Sequence, residues 1–460
     1  MTLNQAVKAS AGAIAFASAD RALNEGFEWA KSQALAYAHF GEDAVGLWYE
    51  AALPEREAFC IRDVMHHSIG AAALGLRLHT KNMMDRFAEN IAESRDWCTY
   101  WEITKDNLPA PVDYESDADF WYNLPANFDI IDACWRQYLW TGDDYYVNDD
   151  KLRTFFRLTL KEYLQTWDKD GDGIPEYYPA YGRRGLATFN EAGVHPLIGG
   201  DLIAAQIAGY RAYARLAGLG GDDEGAKRFE TKAHELARYY EKEWWDAERN
   251  RFFGAMLQDR TFEASYMAEG NFLPLYYGAI DDSEKRRRTL EDVKVHRVSN
   301  VEGKTYLPDI FYKYGAREEA YAELKELVDP TLHRREYPEV SYCVVGSVAA
   351  GLMGLAGNGA SGIRTLPQLP DSLEWAELGQ VPILGRDVAI RHTGNRESAM
   401  TLQSGEPILW KAAFPGEHDT LLRNGEAVKA ERETGEHGEP FSYIVVEVAQ
   451  GETHRVSEPR

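Results

Sequence analysis

Cysteine is scarce in this chain, and what there is does not pair. Cys60, Cys98, Cys134 and Cys343 lie far apart with no C-x-x-C spacing, which excludes a disulfide framework and a paired-thiolate zinc site. They read as buried free thiols. Positive charge is in deficit as well: 50 Lys and Arg against 74 Asp and Glu leave a net charge of −24. Such a surface repels a phosphate backbone and an anionic bilayer, so nucleic acid and membrane are excluded as partners. No apolar run approaches the roughly 20 residues that span a bilayer. Also missing are a G-x-S-x-G elbow, an H-E-x-x-H pair and a G-x-G-x-x-G turn after a strand. The stretch from Gly220 to Lys227 has Ala226 where a phosphate loop needs Lys. His66 and His67 are adjacent, so one helix face cannot present both to a metal.

Aromatic residues, in contrast, make up 12%, and flat rings suit sugar faces as well as a large core. Apolar positions recur at three- and four-residue spacing over Leu3 to Ala17, Arg21 to Phe40, Arg62 to Leu78, Asn82 to Ser94, Asn127 to Leu139 and Tyr146 to Trp167. The same spacing continues over Asp201 to Ala217, Glu224 to Trp245, Ala264 to Tyr277, Thr305 to Tyr314, Glu318 to Val328 and Val340 to Leu355. Twelve helices in six antiparallel pairs are what a closed double ring requires, so the expected fold is mainly α, an (α/α)6 toroid over residues 1–364. After the linker Leu366-Pro367-Gln368-Leu369-Pro370 come short alternating segments divided by turns such as Asn424-Gly425. A small antiparallel, sandwich-like β domain is expected over residues 365–460. Long connections rich in Trp, Tyr, Pro and Asp, Trp97 to Pro125 and Asp168 to Pro196, fall between alternate helices and gather at one mouth.

The densest chemistry lies in Leu53-Pro54-Glu55-Arg56-Glu57-Ala58-Phe59-Cys60-Ile61-Arg62-Asp63. Pro54 suits a first helical turn, which puts Glu57 at the mouth, with Arg56 and Asp63 on one face. A helix N-terminus favours an ionised carboxylate, whereas a general acid keeps its proton near neutral pH. Glu57 therefore needs an apolar wall or a neighbouring carboxylate to serve as the acid. Pro54-Glu55-Arg56-Glu57 resembles the Pro-Gln-Arg-Glu core of the α-L-rhamnosidase motif, in the six-hairpin glycosidase group. That resemblance implies a glycoside hydrolase with Glu57 as general acid and Arg56, Arg62 and Asp63 around the sugar. Ala52 and Val64 stand where the motif has Asp, so the sugar contacts differ.

The stretch Val340 to Leu352, followed by Leu-Pro-x-Leu-Pro and a β domain, is similar to the last barrel helix of the same enzymes. In them the general base precedes this helix, which implies Glu339 or Glu336, Glu339 being favoured because Pro338 fixes the helix start. Glu191, in the loop Thr188 to Pro196, is the reserve catalytic candidate, with His195 beside it. Trp121, Tyr122, Asn123 and Asn127 read as sugar contacts, rings for stacking and amides for hydroxyls, with Asp129 and Asp132 as further candidates. Asp168, Asp170 and Asp172 have the spacing of a calcium-loop start, yet position 12 is Pro179 rather than Glu. No cofactor is required by this chemistry.

The expected activity is thus hydrolysis of a glycosidic bond in a carbohydrate substrate by two carboxylates, with inversion. One rival is a lyase or uronide-processing enzyme on the same barrel, with Arg56, Arg62, Arg183 and Arg184 on a substrate carboxylate. Another is a carbohydrate-binding protein without turnover. The N-terminus has no clear signal sequence, so the expected location is cytoplasmic, or periplasmic or secreted after removal of a signal peptide.

Overall fold

The computed structural model describes residues 2–191, 193, 195–435 and 438–459. Among them, twelve helices alternate between two positions along the chain. They are α1 (Arg21–Ala36), α2 (Ile61–Ala73), α3 (Arg77–Glu89), α4 (Pro125–Thr141), α5 (Asp150–Leu158), α6 (Gly200–Leu219), α7 (Asp223–Glu243), α8 (Glu269–Tyr276), α9 (Ser283–His296), α10 (Leu307–Lys313), α11 (Arg317–Val328) and α12 (Pro338–Gly346).

The even-numbered helices form the inner layer. Each touches the next, from α2 through α4, α6, α8 and α10 to Ser347–Leu352, the continuation of α12, and α12 returns to α2. Their composition explains the placement: α6 buries fifteen of its twenty residues, whereas α7 buries only five of twenty-one, along one stripe. Glycine permits the tightest crossing. A Cβ at Gly70 of α2 would lie 1.9 Å from the carbonyl oxygen of Tyr342 in α12.

Two expectations about individual helices do not hold. Leu3 to Ala17 is a short helix, Leu3–Ser10, followed by a strand, β1 (Ala15–Ser18), whose residues alternate between exposed and buried. The helix absent from the expectation is α9. Its sequence is so charged that only Arg286, Thr289, Leu290 and Val293 face inward, a stripe too narrow to register as apolar periodicity.

The sheet-rich part follows the ring. Its strands are β2 (Leu355–Gly357), β3 (Ile363–Thr365), β4 (Trp375–Ile383), β5 (Arg386–Thr393), β6 (Glu397–Ser404), β7 (Ile408–Pro415), β8 (Thr420–Arg423), β9 (Glu426–Lys429), β10 (Glu431–Thr434), β11 (Pro440–Val448) and β12 (Thr453–Ser457). One sheet runs β1-β4-β5-β6-β12-β8-β9 and the other β2-β3-β7-β11-β10. β1 lies antiparallel to β4, with Phe16 opposite Leu378. β3 and β7 are the parallel exception.

These sheets cover the C-terminal ends of inner helices: Trp140 Nε1 donates to the Pro382 carbonyl at 3.0 Å, and His392 Nε2 lies 3.0 Å from the Met353 carbonyl. The inner N-termini therefore open at the other end. The two long connections meet there, where Asn123 bridges Leu186 and Leu124 N–H donates to the Leu186 carbonyl at 2.7 Å.

Candidate active site

Five inner-layer segments begin with a carboxylate in the first turn: Asp63 in α2, Asp201 in α6, Glu269 in α8, Glu302 in the short helix Val301–Lys304 before α10, and Glu339 in α12. The positive end of a helix favours negative charge. Burial opposes it, and at Asp63, Asp201, Glu269 and Glu339 burial wins.

Asp63 is buried, and loss of water pushes its carboxyl up to about 6 despite Arg62, whose Nε lies 3.4 Å from Oδ1. Arg62 in turn reaches Glu191, 3.7 Å away, donates to the Phe189 carbonyl at 3.4 Å and lies over the Phe189 ring. Glu339 is 5% exposed, and its Oε2 is buried without a hydrogen-bond partner. Burial raises its carboxyl well above the usual range, and the charge on Asp63 raises it further.

A second group lies alongside. Glu102 is held by Arg56 at 2.8 Å, and Asp113 is 3.9 Å from the same guanidinium. Burial pushes Glu102 up to about 7 and raises Asp113. Asp201, pushed by burial up to about 7, works as a clamp, accepting from the Phe189 N–H at 2.5 Å and the Thr188 hydroxyl at 3.1 Å. It thereby fixes the loop that carries Glu191; Ala192 and Val194 of that loop lie outside the described residues.

Glu57 is elsewhere. Residues 52–57 form a tight turn rather than the start of a helix, with left-handed backbone at Glu55 (φ 71°) and Glu57 (φ 49°). The turn leads into a short strand, Ala58–Cys60, paired with Glu102–Thr104, and α2 begins only at Ile61. The Glu57 side chain is 53% exposed and pairs with Lys105 at 2.5 Å. The apolar wall that a general acid needs is not around it. Glu336 is likewise exposed, its backbone carbonyl accepting from Gln33 at 2.6 Å and Tyr37 at 2.5 Å.

Three expected sugar contacts are internal. Tyr122, Asn123 and Asn127 are fully buried. The Tyr122 hydroxyl donates to Asn127, Asn123 donates to the Thr188 carbonyl, and Asn127 donates to the Trp97 carbonyl and Thr159. Their polar groups knit the two loops together instead of facing a ligand. Trp121 is half-buried, its Nε1 on Asn123 at 2.8 Å. His195 is exposed near the Tyr177 ring. Arg183 and Arg184 are committed to Asp119 and Asp96, both at 2.7 Å.

Carboxylate oxygens of Asp168, Asp170 and Asp172 come within 4.8 Å of one another. Each also caps its own turn, through Gly171, Gly173, Asp172 and Ile174 N–H groups, and Arg260 places a guanidinium between Asp170 and Glu176 at 2.7 and 2.8 Å. Of the three aspartates, Asp170 thus has a cation beside it.

The residues that sequence reasoning passed over are Glu102, Asp113, Asp201, Glu269 and Glu302. Asp201 carried a signal, as the first residue of an expected helix. Glu102 and Asp113 carried none, because loop pairing alone brings them to the mouth.

No model of a known protein family matches the sequence, and no curated protein matches it. Solved structures do. A GH78 family rhamnosidase of Bacillus sp. GL1 superposes with a TM-score of 0.64 at 15% identity, over 86% of this chain and 41% of that one. An α-L-rhamnosidase from Dictyoglumus thermophilum gives 0.64 at 14% identity, over 97% and 50%. A glycosidase solved in complex with glucose gives 0.51 at 11% identity, over 72% and 96%. The chain thus spans half or less of the length of the two rhamnosidases. The likeness establishes the fold: helices and a sheet-rich C-terminal part arranged as in α-L-rhamnosidases and other six-hairpin glycosidase-like enzymes.

Proposed function

We propose that this chain is an (α/α)6-toroid glycoside hydrolase, with a β domain that starts at β2, earlier than the expected residue 365, and borrows β1. The observation that carries the reading is the buried pair Asp63 and Glu339 on touching inner helices. Groups whose surroundings drive their proton affinities apart take the acid and base roles. Glu339, buried and without a cation partner, keeps its proton at neutral pH and serves as the general acid that protonates the leaving oxygen. Asp63, held near 6 between burial and Arg62, is ionised at pH 7 yet basic enough to take a proton from water. Our reading makes Asp63 a general base on water, and inversion goes with that role, the water entering from the face opposite the leaving group. These roles differ from the sequence expectation, in which Glu57 was the acid and Glu339 the base.

The substrate carries no negative charge at the scissile sugar. Asp63, Glu102, Asp113, Glu191, Glu269, Glu302 and Glu339 surround the mouth, and Arg56 and Arg62 are each shared between two carboxylates. A uronide would meet an acidic bowl in which Arg56 and Arg62 are already shared between carboxylates, which also counts against a lyase, as the buried and neutral His66 and His67 do. Phosphorolysis lacks an anion seat for the same reason. A binding protein without turnover has no use for a buried carboxyl that lacks a partner, an arrangement that costs stability.

The test is a panel of neutral aryl glycosides and glucuronides, with the anomeric product followed by NMR, on wild type, Asp63→Asn and Glu339→Gln. Turnover of a neutral glycoside with inversion, lost in both variants, is the expected result. Full activity in either variant would overturn the assignment.

A further inference from the structure

We propose, resting on the hydrolase reading above, that the leaving group is a neutral sugar held in a cleft beside Glu339, where Arg334 reads its hydroxyls. A general acid must reach the oxygen that departs, so the leaving group lies on the Glu339 side of the pair. Arg62 and Glu191 stand on the Asp63 side. On the Glu339 side is a cleft of about 480 Å3, between the short helix Val301–Lys304 and the loop 329–334. That helix touches α12, and the loop runs on into it.

The inner end of the cleft meets the mouth. Arg334 Nη1 lies 3.5 Å from Glu302 Oε1, and the Asn300 side chain is hydrogen-bonded to Glu269. Glu302 is in turn one of the charges that hold the proton on Glu339. At the outer end Thr331 and His333 are exposed, so a longer sugar chain can continue into solvent. The volume is that of an ordinary small-ligand site.

Charge and chemistry set the ligand class. Lys304 is paired with Glu326. Asp329 accepts from the N–H and the hydroxyl of Thr331, both at 2.7 Å. With Arg334 on Glu302, each charged side chain of the cleft has a partner within the chain, so no ion is called for. Among the described residues no Trp, Tyr or Phe lines it, which leaves an aryl group without a ring to stack on. Hydroxyl, amide, imidazole and guanidinium groups remain, and these suit sugar hydroxyls.

Arg334 is the residue best placed to read them. Its backbone is left-handed (φ 61°), and its guanidinium lies over the Tyr337 ring at 5.4 Å. Tyr337 and Glu302 thus steady it, yet its side chain is 48% exposed. A guanidinium carries five N–H donors. Glu302 meets only Nη1, which leaves donors for a hydroxyl in the cleft.

The test uses the full chain and the sugar that the aryl glycoside panel selects. It is offered as the glycosyl fluoride and as disaccharides in which it is linked to each hydroxyl of glucose. At least one disaccharide should be hydrolysed. Arg334→Gln and His333→Trp, the second filling the exposed end of the cleft, are compared with wild type. Each should lower the ratio of kcat/KM for that disaccharide to kcat/KM for the fluoride by at least about tenfold, while the melting temperature holds. A ratio unchanged in either variant overturns the cleft and leaves the hydrolase reading standing. So does turnover of the fluoride with every disaccharide left intact. Failure of all glycosides and the fluoride alike overturns the hydrolase reading, and the cleft with it.

Discussion

Glu339 and Asp63 stand in the first turns of α12 and α2, inner helices that touch, and the charge on Asp63 adds to burial in holding the proton on Glu339. Arg62 pulls the other way on both, but it is bonded at 3.4 Å to Asp63 and acts on Glu339 only from farther off. One guanidinium placed on one side of the pair is enough to make the two carboxyls unequal.

Removing the acid should therefore show in the leaving group. Glu339→Gln is expected to lower kcat on a poor leaving group by about 10²–10⁴ and to spare a dinitrophenyl glycoside, which departs without protonation. Glu57→Gln, at an exposed side chain, should leave kcat within about twofold of wild type. Steady-state kinetics on the two substrates check both.

The pH profile follows from the same pair. A base must be ionised, so kcat/KM should rise with pH through about 6, the position of Asp63. It should fall at higher pH as Glu339 loses its proton. In Glu339→Gln the alkaline limb should vanish while the acid limb stays; a profile with both limbs intact would assign the acid to another group.

Stability should decline as pH rises. Asp129 is pushed by burial up to about 7 from 3.8, so the folded chain keeps a proton that the unfolded chain releases. The folded state loses ground between about pH 4 and 7 and then levels off. Thermal melts across that range should show a shallower fall for Asp129→Asn than for wild type.

The acidic turn gives a conditional response to calcium. With Arg260 between Asp170 and Glu176, chelators should not move the melting temperature of wild type. Arg260→Gln removes that charge, and the melting temperature should then rise on addition of calcium. A wild-type melt that drops in EDTA would show that Arg260 is not the resident counter-ion.

Packing at the α2–α12 crossing is testable by one methyl group. Gly70→Ala places a Cβ against the Tyr342 carbonyl, and backbone cannot yield as a side-chain tip can. A loss of about 1–3 kcal/mol or more is expected in denaturant unfolding.

Much of this architecture was legible in the chain itself. The alternation of helices and the β segments of the C-terminal part follow from periodicity and turn residues, whereas the sheet begins at Leu355, ahead of the expected break near Arg364. The helix start at Pro338, which puts Glu339 in a first turn, follows from the sequence as well. What failed was local geometry. Pro54 opened a turn rather than a helix, and the left-handed backbone at Glu55 and Glu57 sent the Glu57 side chain outward. Tyr122, Asn123 and Asn127 looked like ligand contacts because amides and rings serve a loop junction as well as a sugar. Glu102 and Asp113 depend on pairing between distant loops, which no local pattern records.

The strand β1 has a consequence for synthesis of the chain. Its residues leave the ribosome ahead of the ring, whereas its partner β4 follows more than 350 residues later, a separation read from Phe16 opposite Leu378. Until then β1 is an unpaired edge awaiting a distant mate, the kind of segment that invites association between nascent copies. The whole ring must be made before that edge is covered. Slow translation or loss of the C-terminal strands should therefore yield aggregation first and inactivity only as its result.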